Sequence, residues 1–122
     1  MKGYRVFIKD MMGYDGNEII YTTNYQTAVK TFNRQLKKVM KGLDLITDKE
    51  CFGEIKAEFK EPPLFEPKEP IEIICMKAPY IIHRQGKRLI ASVFYDYRCS
   101  YEYDEHDTGV ETVIIEEIEI LN

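Results

Sequence analysis

The sequence predicts an α+β fold: a mostly antiparallel twisted sheet of about five to seven strands with one amphipathic helix packed on one face. Three observations carry this. Hairpin turn signals recur along the chain, only one segment keeps a helical period over several turns, and Tyr95 to Asp104 alternates strictly between aromatic or thiol residues and polar ones. The chain has 122 residues, sized for a single α+β domain spanning 1–122, and its 44% hydrophobic and 31% charged residues are enough to build a core.

Tyr4 to Lys9 places Tyr4, Val6 and Ile8 on one side and Arg5, Phe7 and Lys9 on the other, the pattern of a strand. Tyr14-Asp15-Gly16-Asn17 is a turn signal, and Glu18 to Thr22 returns as a second strand, so the chain opens on a hairpin with a loop from Asp10 to Asn17. The helix follows. Thr23 with Gln26 makes a capping box, with Asn24 as a competing cap. Tyr25, Ala28, Val29, Phe32, Leu36, Val39, Met40 and Leu43 fall in one arc, and Lys30, Arg34, Lys37, Lys38 and Lys41 fall in the opposite one. Gly42 is the expected stop.

Asp44 to Gly53 reads as a connector. Glu54 to Lys60 reads as a half-exposed strand, because Ile55, Ala57 and Phe59 alternate with Glu54, Lys56, Glu58 and Lys60. Residues 61–70, EPPLFEPKEP, hold four prolines and fit neither a central strand nor a helix interior. They are expected to cross the surface in extended form, anchored by Leu64 and Phe65, and Pro67 to Pro70 is a lone PxxP without a basic flank. Ile71 to Met76 is a short apolar strand that Ala78-Pro79 interrupts and Tyr80 to Arg84 resumes, as a second strand or as one bent strand. After the turn Gln85-Gly86-Lys87, a long strand starts at Arg88 and carries Leu89, Ala91, Val93, Tyr95, Tyr97, Cys99, Tyr101 and Tyr103 on one face. A loop from Asp104 to Gly109 then closes a hairpin with Val110 to Leu121. The apolar phase of that last strand slips near Glu116-Glu117, predicting a bulge or a change of exposed face. The expected order is β-β-α-β-β-β-β-β.

Charge is sorted along the chain. Residues 1–43 carry eight basic residues against Asp10, Asp15 and Glu18, whereas Cys99 to Asn122 holds eight carboxylates and no lysine or arginine. The net charge is −4, which disfavours nonspecific attraction of the whole molecule to nucleic acid or to an anionic membrane. No apolar run approaches the length of a membrane span, and MKGYRVFIKD lacks the apolar core of a signal peptide. Cys51, Cys75 and Cys99 are odd in number, far apart and in no CxxC pair, which fits a reducing, cytoplasmic setting with the thiols acting as small packed hydrophobes.

Catalytic signals are weak. No GxSxG, Walker A, GxGxxG or HExxH motif occurs, the two histidines are His83 and His106, and an enzyme would need a pocket gathering one of them with carboxylates. No catalytic residue, cofactor or metal is assigned. Asp104-Glu105-His106-Asp107 is rich in oxygen donors but lacks the spacing of a calcium loop. The function expected is therefore binding. In the leading reading, an inhibitor of the kind a virus or mobile element carries uses an acidic, tyrosine-bearing hairpin to occupy the basic, nucleic-acid-binding groove of a protein partner. Its residues are Tyr97, Tyr101, Glu102, Tyr103, Asp104, Glu105, Asp107 and Glu111. Carboxylates at alternate strand positions lie about 6.6–7 Å apart, roughly the distance between successive phosphates of a nucleic-acid strand. One alternative is nucleic-acid binding through Lys30, Arg34, Lys37, Lys38 and Lys41. Another is a nucleotide-like small ligand held by tyrosines with Arg84, Arg88 or Arg98, at the interface of a homodimer.

Overall fold

The computed structural model describes residues 1–16, 18–61 and 69–120. Its elements are β1 (Lys2–Lys9), β2 (Ile20–Thr22), α1 (Tyr25–Lys41), α2 (Lys49–Lys60), β3 (Ile71–Lys77), β4 (Tyr80–Gln85), β5 (Arg88–Ser100) and β6 (Glu105–Glu119). The six strands form one antiparallel sheet in the order β2-β1-β6-β5-β4-β3. This is the expected α+β architecture with one main helix. Ala78-Pro79 is the tight turn of a hairpin, so β3 and β4 are two paired strands and not one bent strand. The expected path of Leu64, Phe65 and the PxxP lies outside the described residues.

The chain closes on itself through β6, which runs between β1 and β5. Because both faces of this strand are covered, Val113, Ile114 and Ile115 are all buried at consecutive positions. Of the two expectations for Glu116-Glu117, a bulge or a change of exposed face, the pairing excludes the bulge. Pairing runs unbroken from Lys2 opposite Glu119 to Lys9 opposite Thr112, and no bulge occurs there. The phase is lost because each glutamate answers a cation on its own face. Glu116 bridges Arg5 at 2.7 Å and Arg88 at 2.5 Å, and Glu117 reaches Lys2 at 3.4 Å. The register shifts lie elsewhere, between Ile73 and Cys75 and between Arg98 and Ser100.

Helix α1 covers one face of the β1-β6-β5 region. Asn24, not Thr23, is its cap, accepting the Thr27 N–H at 3.1 Å, and the Gly42 N–H ends the helix on the Val39 carbonyl. Ala28, Phe32, Leu36 and Val39 pack on Val6, Ala91, Val93, Val113 and Ile115, each side chain contributing roughly 1.5–3 kcal/mol when large and fully buried. After α1, Asp44 to Ile46 lie along β5 past the end of β4. The Asp96 N–H donates to the Asp44 carbonyl at 2.8 Å and the Ile46 N–H donates to the Phe94 carbonyl at 3.1 Å.

The segment expected to be a strand, Glu54 to Lys60, is the second half of α2. Asp48 caps this helix by accepting the Cys51 N–H at 2.9 Å, and Glu50 stands in its first turn. Its apolar period starts before the stretch that alternates: Phe52, Ile55 and Phe59 follow i, i+3, i+7 and share a face, while Ala57 is exposed. Phe52 meets Phe94 edge-on at 6.4 Å, and Phe59 meets His83 at 5.0 Å. Phe94 points away from its neighbour Val93, so α2 covers the sheet face opposite α1.

Candidate functional site

Strands β5 and β6 outrun the rest of the sheet. The partnership of β4 with β5 stops at Val93 and that of β1 with β6 at Thr112, while β5 and β6 stay paired to Ser100 opposite Glu105. Past Tyr95 they form a two-stranded arm whose residues from Asp96 to Thr108 are exposed, apart from the half-buried Ser100. At its root the ring of buried Tyr95 lies on Gly109, where a Cβ would leave it no room.

The tip corrects the sequence reading. Strict alternation to Asp104 predicts one long aromatic row, but the bulge at Cys99 breaks it, and Tyr101 to Asp104 form a turn with Asp104 at φ 51°. The turn is held from within. Ser100 Oγ accepts the Tyr103 N–H at 3.2 Å, the Arg98 guanidinium donates to Asp104, and the same guanidinium lies over the Tyr101 ring at 5.0 Å. His106 stands between two carboxylates, with Nδ1 2.9 Å from Asp96 and Nε2 3.1 Å from Asp104. These contacts raise the His106 pKa, Asp104 contributing most and Asp96 next, and favour the imidazolium. The Asp104 carboxyl is held below its usual range by Arg98 first and His106 second.

Seven of the eight residues expected to bind a partner sit on this arm. Tyr97, Tyr101 and Tyr103 are 40%, 83% and 72% exposed, and Glu102, Asp104, Glu105 and Asp107 are exposed with them. Glu111 does not join them. It is half-buried below the arm, and burial, with Asp10 nearby, raises its pKa. Only Glu105 and Asp107 keep the alternate-strand spacing, since Glu102 and Asp104 belong to the turn. Across Asp96 to Thr108 the arm carries five carboxylates against one arginine. Cys99, expected to be packed, is exposed, as is Cys51, while Cys75 is half-buried; none of the three is in a disulfide.

Sequence reasoning missed a cleft of about 380 Å³ between the arm and α2. It is lined by Ile46, Cys51, Glu54, Ile55, Glu58 and the arm residues Asp96, His106, Asp107 and Thr108. The signal that would have revealed it is the Asp48 cap, which marks the start of α2, the helix that forms one wall. The cleft does gather a histidine with carboxylates, but both nitrogens of that ring already face aspartates. The thiol on its wall is no activated nucleophile, since Asp48, with lesser contributions from Glu54 and Glu50, pushes the Cys51 pKa up. Among the described residues no three His, Cys, Asp or Glu side chains converge in a way that could hold a metal ion.

The alternative surfaces fare differently. Lys30, Arg34, Lys37, Lys38 and Lys41 are all exposed on α1, but Glu18, from the segment before β2, reaches Arg34 at 2.9 Å and Lys38 at 3.5 Å. Arg84, Arg88 and Arg98 do not form one pocket. Arg88 and Arg98 lie at opposite ends of β5, roughly 33 Å apart along the strand. Arg84 and Arg88 share a recess of only about 60 Å³ with Tyr4 and Tyr25, too small for a nucleotide. Among the described residues no helix is long and apolar enough to cross a membrane. In comparisons with known proteins, no family model matches the sequence, and no curated protein or solved structure matches the chain.

Proposed function

We propose that this is a non-enzymatic binding protein that inserts its β5–β6 arm into the basic groove of a partner protein and so occupies the place of a nucleic-acid strand. The observation that carries this reading is the arm itself: an excess of carboxylates and three exposed tyrosines on a ribbon that extends past the sheet. Tyrosines add flat contact area at low entropic cost, and clustered carboxylates steer a cationic surface toward the arm. The internal bonds of Arg98, Asp104 and His106 support it further, because a pre-ordered tip loses less entropy on docking. A cytoplasmic location belongs to the same proposal and rests on the odd, scattered cysteines of the sequence.

The structure refines the choice of variant. Asp104 is part of the turn's own framework, so charge reversal is best placed at Glu102, Glu105 and Asp107. Pull-down from the native host at low and high salt, with nuclease treatment in parallel, tests the idea. The partner is expected to be retained at low salt, released at high salt, indifferent to nuclease, displaced by added nucleic acid and lost with Glu102→Lys/Glu105→Lys/Asp107→Lys. Retention of the same partner by that triple variant would refute the proposal, as would retention that nuclease abolishes.

A further inference from the structure

We propose that two copies of the chain associate by pairing their β3 edges antiparallel, in the register that sets Glu72 of each copy against Lys77 of the other. Strand β3 is an outer strand of the sheet, seven residues long where the opposite edge strand β2 has three. It exposes a run of large apolar side chains: Ile71, Ile73 and Ile74 are between 39% and 49% exposed. An apolar edge of this length is a template for another strand.

The occupant follows from the charges. Glu72 and Lys77 are five positions apart, which in an unbroken strand would put them on opposite faces. The extra residue between Ile73 and Cys75 changes that. Glu72 lies opposite Arg84 and Lys77 opposite Tyr80, and these two β4 residues share a face, so Glu72 and Lys77 share one too. Ile73 and Met76 lie opposite His83 and Ile81, on the other face. About a two-fold axis perpendicular to the sheet, an antiparallel copy therefore brings Glu72 to Lys77 and Ile73 to Met76, and the symmetry repeats both pairs. In each pair the two side chains lie on the same side of the sheet, as directly opposed residues must. The edge is thus complementary to itself, as an isologous interface requires. Among the described residues neither Glu72 nor Lys77 forms an ion pair within its own chain.

The consequence is a continuous sheet of twelve strands across the pair. Because β3 runs parallel to β5, the two-fold axis points the two acidic arms in opposite directions. The dimer leaves both arms free and makes the assembly bivalent. Association through β3 is independent of what the arms bind.

The test is sedimentation equilibrium on the full chain and on Glu72→Lys, Lys77→Glu and the double exchange. Both positions are exposed, and circular dichroism checks that each variant is folded. The native chain is expected at twice its 14.4 kDa mass. Each single reversal sets two like-charged pairs across the edge and is expected to weaken association by roughly tenfold or more. The double exchange restores opposite charges and is expected to return it to the native value. A native monomer at all concentrations would overturn the proposal, as would single variants that dimerise normally or a double exchange that fails to rescue.

Discussion

Glu116 and Glu117 are neighbours of the same type on the same strand, yet their removal is predicted to have very different costs. Glu116 is 18% exposed and bridges two guanidiniums, at 2.7 Å from Arg5 and 2.5 Å from Arg88, whose side chains are 26% and 40% exposed. Replacement by alanine removes two charge-assisted hydrogen bonds and leaves two arginines facing each other across the strand. Such bonds are worth roughly 1.5–3 kcal/mol each, and water reaching the half-exposed Arg88 and part of Arg5 recovers some of that. The net expectation for Glu116→Ala is a loss of about 2–3 kcal/mol, with a melting temperature lowered by roughly 8–12 °C for a chain of this size. Glu116→Gln keeps one acceptor oxygen and should lose about half as much. Glu117 is half-buried and pairs at 3.4 Å with the single, exposed Lys2, so Glu117→Ala should cost less than about 1 kcal/mol. Urea titration followed by circular dichroism, with the slope unchanged between variants, reads all three. Equal losses at the two positions would show that the Arg5–Glu116–Arg88 bridge is not a pillar of the sheet and refute the reasoning.

The two histidines should titrate on opposite sides of their ordinary value of 6.5. His106, raised by Asp104 and Asp96, stabilises the arm below 6.5, and that contribution is lost as pH rises through its higher folded value. His83 is kept neutral by burial, so its contribution is present above 6.5 and is lost as pH falls toward its lower folded value. A proton NMR titration of the ring resonances checks both, and parallel midpoints would contradict the assignment. Gly109→Ala should cost about 2–3 kcal/mol, because its methyl meets the rigid, buried Tyr95 ring. Gly3→Ala meets the aliphatic Ile120 side chain, with the Thr22 carbonyl at 3.4 Å, and should cost less than Gly109→Ala, about 1 kcal/mol, measured by the same denaturation.

Much of the fold was legible because its signals are local. The arc from Ala28 to Val39 is the buried stripe of α1, and turn residues such as Gly86, at φ 59°, stand where the hairpins close. Signals that depend on partners were harder to read. Over Glu54 to Lys60 a period of two and a helical period fit equally well. What decides is Phe52 and the Asp48 cap, and both lie outside the segment that alternates. At Glu116 the pattern breaks because a long-range pairing with Arg5 replaces a hydrophobe, and no window along the chain contains both residues. The arm's outline was visible in its exposed polar residues. Its turn was not, because the bulge at Cys99 is invisible to a strict count by twos.

The sorting of charge along the chain has a structural cause that narrows what function must explain. Strand β6 is laid against β1, so acids late in the sequence answer cations at its start: Glu116 meets Arg5, Glu117 meets Lys2, and Glu119 meets the terminal amino group at 3.4 Å. These carboxylates hold the first strand to the last and are half-occupied by the fold. Four are left without a cationic partner among the described residues: Glu111 is half-buried below the arm, and Glu102, Glu105 and Asp107 lie exposed on it. The two groups respond differently to the same perturbation. Raising salt screens exposed, unpaired charges first, so it should weaken docking of the arm well before it loosens the sheet. Reversal at Glu102, Glu105 and Asp107 should therefore abolish partner binding while leaving the denaturation midpoint within about 0.5 kcal/mol of native. A triple variant that unfolded instead would mean that the arm's carboxylates also belong to the framework, and the separation of a structural acid set from a binding acid set would fail.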